Sequence, residues 1–314
     1  MHDDAFPGIN GKLPAPEIYY FSGTGNSLAV ARDIAERTRG KWISIPLVMN
    51  TPSVRTDADA VGVVFPTYHS QLFGIPLIIE RFIKQLEDID RKYLFAVCTC
   101  GGHTPFNALP ALKNLEKIIV SRGGCLSAEF SIRLPMNSLN YSHVPFPNTD
   151  QETMFERCRK QVEDICRTVA VRKRRKFTPA QLLLHFIMTP LYRMLRKVVA
   201  EALRKYANEP ENTPLTVYEL MPLTDNSIYA DETCSGCGIC TDVCPVQNIQ
   251  IDDNRPVWRH HCEMCLACVE WCPVQAIHHW CRVEGRSYHH PEVTLSDMMV
   301  SACDYQDTAG HITE

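Results

Sequence analysis

Eight cysteines fall into two matching runs. Cys234, Cys237, Cys240 and Cys244 are separated by two, two and three residues, and Pro245 follows. Shifted by 28 residues, Cys262, Cys265, Cys268, Cys272 and Pro273 repeat the pattern. The register holds past the cysteines: Pro-Val-Gln-Asn-Ile at 245–249 returns as Pro-Val-Gln-Ala-Ile at 273–277. This is an internal duplication, and its halves are expected to pack about a pseudo-two-fold axis. Thiolates so spaced suit iron–sulfur chemistry. Three cysteines at every third residue wrap three corners of one cubane, and in runs that end in proline the fourth ligates the other cluster. The spacing predicts one [4Fe-4S] cluster on Cys234, Cys237, Cys240 and Cys272. It predicts a second on Cys262, Cys265, Cys268 and Cys244. Pro245 and Pro273 fix the backbone after each crossing cysteine. Zinc fits poorly, because its ligands come as two separated Cys-x2-Cys pairs or mix cysteine with histidine. A disulfide framework fits poorly too, since no secretory segment is visible.

At every motif position this stretch resembles the bacterial two-cluster ferredoxins.

A second chemical stretch lies near the start. Ser22-Gly23-Thr24-Gly25-Asn26-Ser27 follows an apolar, aromatic run at 17–21 and precedes the helically spaced Leu28–Ala35. A small, hydroxyl-rich turn between strand and helix is an anion site, because free N–H groups and the helix dipole favour phosphate. Gly-Lys-Ser/Thr is absent, which argues against a triphosphate loop. The G-x-G-x-x-G spacing is absent as well, which argues against a dinucleotide. A monophosphate held without lysine remains, beside the plainer alternative of an ordinary helix cap. The turn resembles the FMN phosphate loop of the flavodoxins.

The elements that must position these loops follow in order. Residues 41–46, 60–65, 92–98 and about 124–133 read as strands. Helices are expected at about 74–87, 106–122 and 151–171. Alternation of this kind predicts right-handed crossovers and a parallel α/β sheet. Ala60–Phe65 is continuously apolar, as a strand buried on both faces requires. Ligands of such sheets sit beyond the carboxyl ends of the strands, where the loops 22–27, 66–70 and 99–104 converge. The flavodoxin resemblance implies that Pro66, Thr67 and Tyr68 lie on one face of a flavin, with Tyr68 stacking. It implies that Thr99, Cys100, Gly101 and Gly102 meet its polar edge. His69 and His103 read equally as surface residues. Residues 135–150 are irregular, placed either to cover the flavin or to meet the second domain.

Composition sets outer bounds. The chain has 314 residues, 15 Cys and a formal net charge of −4, enough for about two domains. Mild acidity argues against a nucleic-acid partner. No apolar run approaches the ~18 residues of a membrane span. Seven further cysteines (Cys98, Cys100, Cys125, Cys158, Cys166, Cys281 and Cys303) are surplus to the motif, and free thiols at that density imply a cytoplasmic setting. Cys281 reads as structural. His260, His261, His278 and His279 flank the motif and read as solvated.

The expected organisation is a lead-in (1–16), a flavodoxin-like doubly wound domain (17–171), a basic helical connector (172–214), a small α+β two-cluster domain (215–285) and a tail (286–314). In the connector, Thr178-Pro179 and Thr189-Pro190 predict two helices, at about 179–188 and 190–207. The second is basic and amphipathic, with Leu191, Leu195, Val198, Ala202 and Tyr206 on one face. It is read as packing on its own domain rather than on a membrane surface. The whole resembles a flavodoxin–ferredoxin fusion, which implies electron relay between two [4Fe-4S] clusters and FMN, with soluble redox proteins as donor and acceptor. Two alternatives stand beside it. One is a flavin-dependent reductase of a small substrate, fed by the clusters. The other is a cluster-only ferredoxin whose first domain is an empty docking module.

Overall fold

The computed structural model describes residues 14–68, 74–102, 104–137, 151–280, 282 and 287–299. His69, His103, Cys281, Cys303 and residues 138–150 lie outside that set.

In the first half strands and helices alternate: β1 (Glu17–Tyr20), α1 (Asn26–Thr38), β2 (Lys41–Ser44), α2 (Ile45–Val48), β3 (Ala60–Pro66), α3 (Leu77–Gln85), β4 (Tyr93–Cys100), α4 (Thr104–Ser121), β5 (Leu126–Arg133) and α5 (Gln151–Ala170). The strands form one parallel sheet in the order β2-β1-β3-β4-β5, which is the order of the flavodoxin-like doubly wound fold. Its central strands are buried on both faces. Ile18, Val64, Phe95 and Val97 face α1 and α5. Tyr19, Val63, Phe65 and Ala96 belong to the core on the α3 and α4 side.

The second half continues with α6 (Pro179–Tyr206), α7 (Val217–Leu223), β6 (Tyr229–Ala230), α8 (Ile239–Asp242), β7 (Ile249–Asp252), β8 (Arg255–Trp258), α9 (Ala267–Glu270), β9 (Ile277–His278) and α10 (Leu295–Met298). Two small antiparallel ladders, β6 with β9 and β7 with β8, frame the cysteine loops. Leu203, Leu220, Met221, Val243, Met264, Trp271 and Val293 join the α3 and α4 core. The two halves therefore share one hydrophobic core.

The strand expected at 41–46 ends at Ser44, where Ile45–Val48 turns helical with Pro46 in its first turn, and three longer segments differ from the sequence expectation. The two connector helices are a single helix, α6, with Pro190 inside it. Pro190 removes the N–H that would reach the Phe186 carbonyl, and in the same turn the Thr189 hydroxyl donates to the His185 carbonyl at 2.9 Å. Tyr206 turns inward and stacks on Trp280 with centroids 4.0 Å apart, whereas Leu191 and Val198 of the same expected face are exposed. The basic run before α6 is an ordered strap. Arg175 N donates to Ser127 O at 3.0 Å, and Glu129 N donates to Arg175 O at 2.9 Å. The strap thereby covers the open edge of β5. Finally, the part of the expected tail at 287–299 packs against the first domain, with Tyr288, His290, Val293 and Met298 buried.

Candidate redox centres

The duplication is visible in the backbone. Gly236 and Gly238 have φ of 69° and 81°, and Met264 and Leu266, 28 residues on, have 52° and 61°. Gln247 and Gln275 match at 53° and 54°. Left-handed conformations are uncommon outside glycine. Repeated at equivalent points, they turn backbone N–H groups inward. Asn248 N donates to Cys244 Sγ at 3.2 Å, and its counterpart Ala276 N donates to Cys272 Sγ at 3.3 Å. Met264 N donates to Cys262 Sγ at 3.2 Å.

The thiols line two separate cavities. Cys234, Cys237, Cys240 and Cys272 share one. Cys262, Cys265, Cys268 and Cys244 share the other. These are the two crossed sets the spacing predicts. Among the described residues, no three His, Cys, Asp or Glu groups are arranged to hold a single metal ion; the thiols surround cavities rather than one point. Burial pushes Cys265 up to about 12 and raises Cys262 and Cys268 as well. Buried thiolates need positive charge nearby, yet no Lys or Arg lines their cavity. Iron ions would supply that charge, and inward N–H groups suit cluster sulfur ligands, so the residues fit the group.

The cavities differ in depth. Cys237 is exposed and Cys234 half-buried, whereas Cys265 and Cys268 are buried. We call the two sites distal and proximal to the sheet. The proximal loop is fastened to the first domain by Glu263, between Cys262 and Met264. Its buried carboxylate pairs with Arg81 of α3 at 2.6 Å and lies close to the backbone of Leu77 and Ile78 in the first turn of that helix. Burial still pushes it up to about 7. Of the flanking histidines, His260 and His261 are exposed, as expected, whereas His278 is half-buried and His279 is buried. His260 bonds buried Asp225, His278 bonds Asp231, and His261 bonds the Val246 carbonyl.

A larger cavity, about 380 Å³, lies at the carboxyl ends of β1, β3 and β4. Small-molecule sites occupy roughly 300–1,000 Å³. Every candidate from the three loops lines it except Gly25: Ser22, Gly23, Thr24, Asn26, Ser27, Pro66, Thr67, Tyr68, Thr99, Cys100, Gly101 and Gly102. The loops are braced together. Ser27 and Thr99 hydroxyls lie 2.9 Å apart, and Thr67 N donates to Thr99 O at 2.9 Å. Gly25 (φ 96°) caps α1, and no side chain caps the helix. Ser22 Oγ instead accepts from Gly25 N at 3.1 Å. No side chain takes up the first-turn N–H groups of α1, which such a helix start can offer to an anion. Tyr68 is buried edge-on to Phe21, with centroids 6.0 Å apart. Burial, with Cys265, Glu263 and Cys262 nearby, raises its phenol well above the usual range. Cys98 and Cys100 are buried free thiols rather than a disulfide, and only Cys100 reaches the cavity.

Sequence reasoning set residues 135–150 either over this cavity or against the second domain, and it missed the walls supplied by α6 and the cysteine loop. Pro135, Met136 and Asn137 cover the third loop, Val198 and Val199 of α6 close one side, and Met264 enters from the proximal cysteine loop. Only the position of Met264 between two ligands hinted at this. The phosphate-loop candidate is also held from outside. Trp271 Nε1 donates to Gly23 O at 3.0 Å, His290 N donates to Thr24 O at 2.9 Å, and Tyr288 OH donates to Asn26 Oδ1 at 2.7 Å.

Residues 227–273 match the 4Fe-4S dicluster domain family. The chain joins a flavodoxin-like fold to a 4Fe-4S dicluster domain. Among solved structures it is similar to the Streptococcus pneumonia TIGR4 flavodoxin, with 17% identity over 49% of this chain and 98% of that one and a TM-score of 0.32. Flavodoxin 2 from Bacillus cereus gives 17%, 49%, 99% and 0.32 in the same order. The Megasphaera elsdenii flavodoxin gives 16%, 48%, 98% and 0.31. No curated protein matches the chain. The assignment of the first half rests on its own strand order. No helix among the described residues is long and apolar enough to cross a membrane.

Proposed function

We propose that this chain is an electron-transfer protein holding two [4Fe-4S] clusters and one FMN in a line: distal cluster, proximal cluster, flavin. One observation carries the order. Met264 stands between Cys262 and Cys265 and also lines the 380 Å³ cavity. Gly23 of the phosphate-loop candidate abuts the Cys265 carbonyl so closely that a side chain there would collide with it. Clusters pass single electrons and a flavin takes one or two, so the combination suits an adaptor between one- and two-electron partners. The protein's own contribution is positional. Ser22, Thr24 and Ser27, with the α1 N-terminus, suit the flavin phosphate. Tyr68 and Gly101–Gly102 bound the ring, and Glu263 with Arg81 fixes the proximal loop against α3. Cys237 at the surface suits a soluble donor protein in the cytoplasm.

Anaerobically purified protein is expected to hold about eight iron per chain and one FMN. After rapid reduction by a low-potential donor, flavin bleaching in stopped flow should follow cluster bleaching at a rate independent of protein concentration. A rate proportional to concentration would mean exchange between molecules and would end the linear relay.

A further inference from the structure

Helix α6 carries a surface that the relay does not use. Leu183, Ile187, Leu191, Met194 and Val198 recur at spacings of three and four, so they form one stripe along the helix. Leu183, Ile187 and Val198 are 60%, 62% and 63% exposed, and Phe186 beside them is 75% exposed. Soluble proteins scatter such residues singly; here they run together over four turns. The inner side of the helix is anchored separately, through buried Leu203 and the Tyr206–Trp280 stack. The stripe is therefore not a core face displaced.

Charge indicates what covers it. Between Asp164 and Glu201 the sequence has nine Lys or Arg and no Asp or Glu. Removing those nine charges from the chain's −4 leaves −13 for the remainder. Arg175 and Lys176 are engaged internally. Arg174 before the helix is exposed, and so are Arg193, Arg196 and Lys197, which stand among the last residues of the apolar stripe. A symmetric pairing of two copies through this face would set like charges against each other. An acidic redox partner would match the charge, but transient contacts between soluble redox proteins are small and need no Phe and Leu stripe of this length. Exposed cations before and along an exposed apolar helix face match an anionic bilayer interface, where the stripe sinks to the acyl boundary and the cations meet phosphates.

We propose that α6 is an interfacial anchor that docks the protein on anionic membrane surfaces. Val198 belongs both to the stripe and to the wall of the 380 Å³ cavity, so docking would bring that cavity next to the lipid. The proposal holds whatever fills the cavity.

The test is flotation of the intact, cluster-loaded protein with vesicles of phosphatidylcholine alone, or with about one-third phosphatidylglycerol. Binding to the anionic vesicles at low ionic strength is expected, falling as salt rises. Phe186→Ser with Ile187→Ser should weaken it at least tenfold while the visible spectrum is unchanged, since both side chains point outward. Arg193→Gln with Lys197→Gln should weaken binding to anionic vesicles only. No flotation of the wild type would overturn the proposal. So would equal binding to neutral vesicles, or binding of polyglutamate without vesicles, which would assign the helix to an acidic protein. A dimer in light scattering that the double serine variant dissolves, with no vesicle binding, would assign the stripe to a second copy.

Discussion

Gly23 and Gly25 occupy one short loop for different reasons. A Cβ on Gly23 would collide with the Cys265 carbonyl, so Gly23 permits contact between two loops. Gly25 sits at φ 96°, and a Cβ there would press on Val293 and His290. From sequence, both look like glycines that let a phosphate approach. Gly23→Ala should therefore act in two places. FMN affinity should fall at least tenfold in a fluorescence-quenching titration, and the EPR signal of the proximal cluster should change. A flavin defect with an untouched cluster spectrum would show that the loops are not in contact. The cysteines act more locally. Cys272→Ala should damage the cluster wrapped by Cys234, Cys237 and Cys240, and Cys244→Ala should damage the other. Iron analysis with EPR separates these from the outcome in which each run keeps its own cluster.

Among the elements, the strap at 172–176 shows how much stability lies outside the core. Glu129 on β5 is buried and receives Lys176 at 2.9 Å and Lys113 at 3.4 Å, and both lysines also reach Glu116. Removing both cations leaves a buried carboxylate without a partner, a change of roughly 3 kcal/mol. Lys113→Met with Lys176→Met should lower the urea midpoint accordingly, and Lys176→Met alone much less. Equal effects of the single and double variants would mean that Lys113 contributes nothing. The strap also marks where sequence stops being informative. β3 and β4 were legible because burial on both faces leaves unbroken apolar runs. The cysteine loops were legible because cluster chemistry dictates their spacing. The strap is five basic residues with no periodicity, ordered by carbonyls and carboxylates far along the chain. Residues 287–299 are similar: Tyr288 and His290 are fixed by Asn26 and Thr24, more than 250 positions away. Two Thr-Pro pairs suggested two helices, although the second proline is accommodated within one.

For the molecule as a whole, the shared core makes the two halves thermodynamically dependent. The outer side of the Ser22–Ser27 loop rests on Trp271, the Cys265 carbonyl and His290, all belonging to the second half. On the proposed assignment a cluster would hold the shape of the proximal cysteine loop, and its loss would loosen what the Ser22–Ser27 loop leans on. Coupling between two ligands is reciprocal: if cluster loss weakens FMN binding, FMN must make cluster loss harder by the same factor. Anaerobic chelation of iron from the intact chain should thus weaken FMN binding several-fold in titration, and bound FMN should raise the chelator concentration at which half the iron is lost. Trp271→Phe, which removes the bond to Gly23 O but keeps an aromatic ring, should reduce this coupling while leaving iron content unchanged. If FMN binds equally with and without iron, the contact between the halves serves only to hold them at a fixed distance, and each site folds by itself.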